Sequence, residues 1–432
     1  MSSRRQTEKT AEFAIDTSGF SAYLPETPCG ESSIVLLLPE ELRRELMEER
    51  RTRAFELQQQ LRYNEERLRA DGLAASNATR SQTASSSPRS AADERSFIKA
   101  FERGAARRNR ARYHPVLTGQ EILRVAARLA TMREKDYAKR ELDLVEKLKV
   151  RGALRMIVNP GFAHKRWVRS LGRLRAAHPH FCKVTDLVAS CVARSTRSKG
   201  PLVIPPLHLW GPPGLGKTHY AGDLASALEA PFRRQSMENA QTTALLLGTE
   251  RHWSSASHGV IFDQVVLGSC ANPIILLDEL DKACRGGQYD PLAPLHSLLE
   301  PATAAKVRDA ALDIEFDASL VTYIATSNDP RKVPASLLSR FREFEILPPQ
   351  GEAALQVARE IVATVVERQM IPGFAAPPAS FAHNLAHLTA REIFQAVQDA
   401  VARAVERGRL HLELEDVPAE ILGLENSRPL LH

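Results

Sequence analysis

The chain has 432 residues, 43% of them apolar and 25% charged, with a formal net charge of +6. A prior of about 100–200 residues per domain gives two to four domains. No apolar run approaches the roughly 18–20 residues that span a bilayer, and the basic start Met1–Arg5 is not followed by an apolar signal core, so a cytoplasmic protein with no membrane partner is expected.

Residues 1–30 lack clear periodicity and read as flexible. The apolar run Ile34–Leu38 stops at Pro39, which suits the first turn of a helix reaching Asp71, with Glu40 and Glu41 behind it and Gly72 as a stop. Leu57, Leu61 and Leu68 share one face, too few for a coiled coil. The Ala/Ser/Thr-rich stretch Leu73–Asp93 reads as a linker. From Ser96 to about Arg175 the pattern is helical. Ile122, Val125 and Leu129, then Leu142, Val145 and Leu148, recur at three- and four-residue steps. This suggests a small helical domain or stalk. Residues 103–199 hold 24 Lys and Arg against 7 Asp and Glu, so the rest of the chain is acidic. Such asymmetry marks a nucleic-acid face, an acidic partner or only a solvated helical surface.

Near His178 short apolar runs begin to alternate with helical stretches. Leu207–Trp210, Pro231–Arg234, Ile274–Leu277, Leu320–Ala325 and Phe344–Leu347 read as five strands. The alternation predicts an α/β fold with a parallel sheet flanked by helices. Beyond Gly351 the strand signal disappears, and Ala353–Gln369 and Ala390–Arg407 read as helices of a smaller, all-helical domain. Five cysteines (Cys29, Cys182, Cys191, Cys270 and Cys284) form no C-x-x-C pair, which fits a reducing compartment and argues against a disulfide framework.

Four motifs carry chemistry. Gly211-Pro212-Pro213-Gly214-Leu215-Gly216-Lys217-Thr218 fits G-x-x-x-x-G-K-[ST] between a strand and a helix. Phosphates need close backbone N–H groups, and glycines remove the side chains that would obstruct them. The helix beginning at Lys217 points its positive end at the phosphates, Lys217 reaches the β- and γ-phosphates, and the Thr218 hydroxyl binds Mg²⁺. The apolar run Ile274–Leu277 then ends in Asp278 and Glu279, placed at the carboxyl edge of a parallel sheet. Asp278 would hold Mg²⁺ through water, and Glu279 would activate the attacking water. Asn328, ending the next strand, could share that water, although an Asn there can also simply turn the chain. Arg340, in Leu337–Arg342, is of the type that neutralises a transferring phosphoryl group.

These residues resemble the AAA+ ATPases, and within them the ATPase module of Lon proteases, from about His178 to about Val417. Asp278–Pro301 and Ala311–Asp329 are the most Lon-like stretches. The resemblance implies a sheet in the order 5-1-4-3-2, a helical lid and ATP with Mg²⁺ as cofactors. It assigns Asp278 and Glu279 to the Walker B pair and Asn328 to the sensor beside it. Arg340 matches the finger that acts on a neighbouring subunit's ATP, with Arg342 as the fallback, and Arg391 matches the lid arginine that reaches the γ-phosphate. His180 and Phe181, in His178–Phe181, match the stretch beside the adenine; a metal reading of His178, His180 and Cys182 lacks an evident fourth ligand. Trp253 aligns with the aromatic of the first pore loop, although Ser254 and Ser255 depart from the pattern, and Tyr289 falls in the second.

The implied organisation is an N-terminal region 1–95, a basic helical region 96–176, the nucleotide-binding domain 177–349, a helical lid 350–422 and a tail 423–432. Lon places a Ser–Lys dyad after the lid, whereas no lysine follows Lys332 here, so the chain is expected not to be a protease itself. The leading expectation is a homo-oligomeric, hexameric ring ATPase that remodels or threads a protein. The alternatives are a nucleic-acid-dependent ATPase or loader using residues 103–199 and a nucleotide-switched scaffold.

Overall fold

A computed structural model describes residues 20–23, 36–39, 91–102, 112–131, 136–160, 164–238, 240, 243–249, 257–283, 290–418 and 421. The chain forms two compact units, Met1–Pro88 and Arg89–His432. In the first, strand β1 (Phe20–Tyr23) pairs antiparallel with β2 (Leu36–Pro39), Phe20 standing opposite Pro39. Part of the segment expected to be flexible is therefore a strand. Pro39 closes a strand instead of opening a helix; the remainder of the helix expected to Asp71 lies outside the described residues.

The second unit begins with helix α1 (Ala91–Phe101), strand β3 (Tyr113–Pro115), helices α2 (Gly119–Ala130) and α3 (Asp136–Arg151) and strand β4 (Leu154–Met156), which pairs antiparallel with β3. Two helices follow, α4 (His164–Ala177) and α5 (Cys182–Ser198), joined by a single 3₁₀ turn, Pro179–Phe181.

Five parallel strands form the central sheet: β5 (Leu207–Trp210), β6 (Phe232–Ser236), β7 (Ile274–Asp278), β10 (Thr322–Ser327) and β11 (Arg342–Glu345). Helix α6 (Lys217–Ala227) leaves the glycine loop after β5. The order is β11-β5-β10-β7-β6, the 5-1-4-3-2 arrangement expected. Between β7 and β10 the chain adds an antiparallel pair, β8 (Val307–Asp309) and β9 (Ile314–Phe316), which the sequence reading missed. Its turn is held by Asp309, a fully buried carboxylate that accepts the N–H groups of Ala311 and Leu312 at 3.1 and 3.0 Å.

Alternate side chains of a strand point to opposite faces, and the sheet is buried on both. Ile275 and Leu277 of β7 join Tyr323 and Ala325 of β10 in one core; Ile274 and Leu276 join Leu207, Leu209 and Ile324 in another. The first core also contains Ile122, Val125, Leu129, Val145 and Leu148 from α2 and α3. The apolar stripe read at three- and four-residue steps therefore joins the core on one face of the sheet. The second core takes Trp167, Leu171, Val184 and Val188 from α4 and α5, with Tyr220 and Leu224 from α6. Apolar residues on both sides of position 176 thus serve the sheet's own cores.

The lid comprises α7 (Glu352–Arg368), α8 (Ala379–Leu385) and α9 (Ala390–Glu406) around a third core that includes Val362, Phe381, Ile393 and Val397. Thr389 starts α9 with a reciprocal capping box: its hydroxyl accepts the Glu392 N–H, and the Glu392 carboxylate accepts the Thr389 N–H at 2.8 Å.

Candidate nucleotide site at the carboxyl edge of the sheet

Strand β5 ends where the glycine loop must turn back under the sheet edge. Gly211 lies at φ +150°, and a Cβ there would stand 2.2 Å from the Ile346 carbonyl oxygen. Only a residue without a side chain allows that approach. Gly216 sits at φ +79° immediately before α6 and leaves the first-turn N–H groups uncovered.

Lys217 is buried. Its Nζ donates to the carbonyls of Gly211 and Pro212 at 2.6 and 2.9 Å and to Asn328 Oδ1 at 3.0 Å. Burial pulls its pKa below the usual lysine value, while Asp281, Asp278 and Glu279 oppose that shift. Asp278 ends β7 with its side chain almost fully buried. Its Oδ1 accepts from the hydroxyls of Thr218 at 2.9 Å and Thr326 at 2.5 Å, and its Oδ2 accepts from Arg234. Hydroxyl and carboxylate oxygens side by side are the hard donors that Mg²⁺ takes, so Thr218 and Asp278 fit that ion.

Glu279 occupies the left-handed region at φ +59°, and its N–H donates to Thr326 Oγ1 at 3.0 Å. That turn swings the carboxylate off the end of β7, where Oε1 accepts from Lys282 Nζ at 2.9 Å. Asp281 Oδ2 accepts the backbone N–H groups of both Asn328 and Asp329 at 3.1 Å, fixing the loop that carries the Asn328 amide.

A cavity of about 430 Å³ lies between this edge and the lid. Pro213 through Thr218, Asp278, Glu279, Asn328, His180 and Arg391 all line it. The lid contributes the apolar Val357, Ile361 and Phe394 as well, together with the charged Glu360 and Arg368. Burial lowers the His180 pKa, and its Nε2 lies 3.0 Å from the Leu215 carbonyl.

Two expected residues stand elsewhere. Phe181 does not reach the cavity: it is fully buried and stacks on Tyr220, with ring centroids 4.2 Å apart and planes 5° from parallel. An aromatic in an apolar turn goes to the core when a parallel ring is available there. Arg340 also lies off the cavity wall, its Nη2 3.1 Å from Glu300 Oε1 and its Nη1 donating to the Ser336 carbonyl at 2.7 Å. Trp253 and Tyr289 lie outside the described residues. Sequence reading did not single out Arg234 and Thr326, which line the cavity, or Asp281, which fixes the Asn328 loop beside it. Thr326 carried a signal, two residues before Asn328 on the strand that leads to it; Arg234 carried none beyond its place in a predicted strand.

The phosphate-type loop, the acid pair at the end of β7 and the lid over them define a P-loop ATPase domain. Residues 207–349 match the family model described as "ATPase family associated with various cellular activities (AAA)", so this stretch is an AAA ATPase domain. Its similar curated proteins include Lon protease 1 of Syntrophotalea carbinolica, 35% identical over 153 residues that cover 35% of this chain and 19% of the relative. Lon protease 2 of Thermus thermophilus is 29% identical over 237 residues, 52% of this chain and 29% of the relative. The chain thus spans less than a third of the length of these relatives, over their ATPase part. Among solved structures, the RuvB Holliday junction branch migration motor of Thermotoga maritima aligns with a TM-score of 0.37 and 17% identity, covering 56% of this chain and 68% of that one.

Proposed function

We propose that the chain hydrolyses Mg²⁺·ATP as a hexameric ring in which Arg340 completes the neighbouring subunit's site, and that it remodels or threads a protein.

 The observation that carries this reading is one cavity that gathers Lys217, Thr218, Asp278, Glu279 and Asn328 from the sheet edge with Arg391 from the lid.

The chemistry follows from what each group can exchange. Lys217 would trade the Gly211 and Pro212 carbonyls for phosphate oxygens, and the loop N–H groups would cradle the same phosphates. Mg²⁺, when bound, neutralises charge on the phosphates; Thr218 and Asp278 are the residues that would hold it. Glu279 would take the proton of the attacking water on a carboxylate oxygen while the Asn328 amide orients that water. Arg391 would couple the lid to the γ-phosphate. Arg340, off its own cavity and tied to Glu300, suits a role on the neighbouring subunit's ATP. Trp253 and Tyr289 would grip the threaded polypeptide. The free thiols of Cys182, Cys191 and Cys270 suit the reducing cytoplasm as the compartment.

A second reading is supported by the basic surface of α4 and α5, where Lys165, Arg169, Arg173, Lys183, Arg197 and Lys199 are all exposed. That surface suits a nucleic-acid-dependent ATPase, whose binding would weaken steeply with salt. ATPase rates of the full chain with unfolded protein, with DNA and with neither separate the readings. Stimulation by unfolded protein supports the first. Stimulation by DNA alone replaces it with the second, and a low rate that responds to neither leaves a nucleotide-switched scaffold.

A further inference from the structure

Beside the phosphate loop, three metal-ligating side chains meet from two separate segments. His219 and Asp223 lie one helical turn apart on α6, and His178 comes from the turn that ends α4. Asp223 Oδ2 lies 2.7 Å from His178 Nε2 and 2.9 Å from His219 Nδ1. The ligand atoms of all three residues stand within 4.8 Å of one another. The cluster plays no part in the phosphate chemistry above, although its three residues line the same cavity.

We infer that His178, His219 and Asp223 form a binding site for a divalent transition-metal cation of the Zn²⁺ class, distinct from the Mg²⁺ held with ATP. Two imidazole nitrogens and one carboxylate oxygen select such an ion, because Mg²⁺ takes oxygen donors. In a tetrahedral site with bonds of about 2.0–2.1 Å, ligand atoms lie about 3.3 Å apart, so the two short contacts to Asp223 need open by only about half an ångström. His219 and Asp223 are half exposed and have room for that adjustment, whereas His178 is held more tightly. The Phe181 and Tyr220 rings pack nearly perpendicular to its imidazole at centroid distances of 6.0 and 5.5 Å, which fixes one ligand in advance.

The geometry also sets the kind of site. Three protein ligands leave a fourth position for water, the open arrangement and not the closed one of a purely structural zinc. The cation would tie the turn after α4 to the first turns of α6, immediately behind Thr218. Its charge would stand at the rim of the nucleotide cavity without touching the residues that hold the phosphates.

The test uses the full-length chain, stripped with a chelator and kept free of Mg²⁺ and nucleotide. Co²⁺ is titrated and followed by visible absorption, with Zn²⁺ added afterwards as the competitor. One equivalent of Co²⁺ should give the intense absorption of a four-coordinate site, and Zn²⁺ should abolish it. His219→Ala and Asp223→Asn should each weaken Co²⁺ binding at least about tenfold while circular dichroism stays unchanged. His411→Ala, which alters an exposed lid histidine paired with Glu413, should bind as the wild type does. A wild-type chain that gives no such absorption overturns the inference. So does Co²⁺ binding that survives both the His219 and Asp223 substitutions, since the cluster would then be only a hydrogen-bonded His–Asp–His network.

Discussion

Arg234 grips the carboxylate of Asp278 with two nitrogens: Nε and Nη2 each lie 2.7 Å from Oδ2. The other oxygen, Oδ1, is already shared by Thr218 and Thr326. Asp278 is therefore fully engaged by protein groups, and one of its partners is a cation. A cation from solution must compete with that guanidinium for the same charge.

Arg234→Ala should therefore lower the Mg²⁺ concentration that half-saturates ATP hydrolysis. The Arg234 side chain is 59% exposed, so the ion pair is screened and worth at most about 1 kcal/mol, which corresponds to a shift of about two- to fivefold. Titrating Mg²⁺ at fixed ATP in both proteins measures it. An unchanged or higher Mg²⁺ requirement would show that Arg234 supports the ion instead of competing with it.

Glu279→Gln isolates the proposed base. The substitution keeps the shape of the side chain and the N–H bond to Thr326, so the left-handed turn at Glu279 should persist. It loses a pair with Lys282 that is exposed and screened by solvent. Stability should change little and ATP affinity should stay within about threefold, while turnover falls by at least about a hundredfold. Nucleotide binding by fluorescence and phosphate release by a steady-state assay read the two separately. Normal turnover in this variant removes Glu279 from the chemistry.

Why were these residues legible before the fold was known, and others not? Lys217, Thr218, Asp278 and Glu279 lie in short contiguous patterns, a glycine spacing and an apolar run that ends in acid, each dictated by backbone geometry. The sheet order followed from the family likeness and matches the structure. Arg234 and Asp281 act through partners 44 and 47 residues away, contacts that no local pattern announces. The strands β8 and β9 have three residues each, too short for alternation to register. Phe181 shows the converse. Its neighbour His180 faces the cavity, but one residue further along a 3₁₀ turn the side chain points into the core.

The glycine loop yields a paired prediction. Gly211→Ala would force a Cβ against backbone, 2.2 Å from the Ile346 oxygen, at a φ that L residues rarely adopt. Gly216→Ala meets nothing within 4 Å and carries only the cost of its left-handed φ, about 1–2 kcal/mol. Urea unfolding should therefore show the Gly211 variant destabilised by more than about 3 kcal/mol, or unable to fold, with Gly216→Ala clearly milder. Equal losses at the two positions would mean that the β5–β11 edge yields more easily than its geometry implies.

His208 gives the pH dependence. It is fully buried on β5, with Nε2 2.7 Å from Ser327 Oγ, and burial brings its pKa down to about 4, helped by Lys217 and opposed by Asp281. The unfolded chain holds a histidine near 6.5, so below that pH it binds a proton that the folded chain refuses. The stability tied to a neutral His208 is thus complete above pH 6.5 and is lost as the pH falls towards 4. Over that window the loss should be about 3 kcal/mol at most, an order-of-magnitude figure. His208→Gln, which retains a polar group for Ser327 but cannot titrate, should flatten this part of the profile. Urea midpoints of both proteins between pH 7 and pH 4 decide it: parallel profiles would mean that other groups, and not His208, set the acid limb.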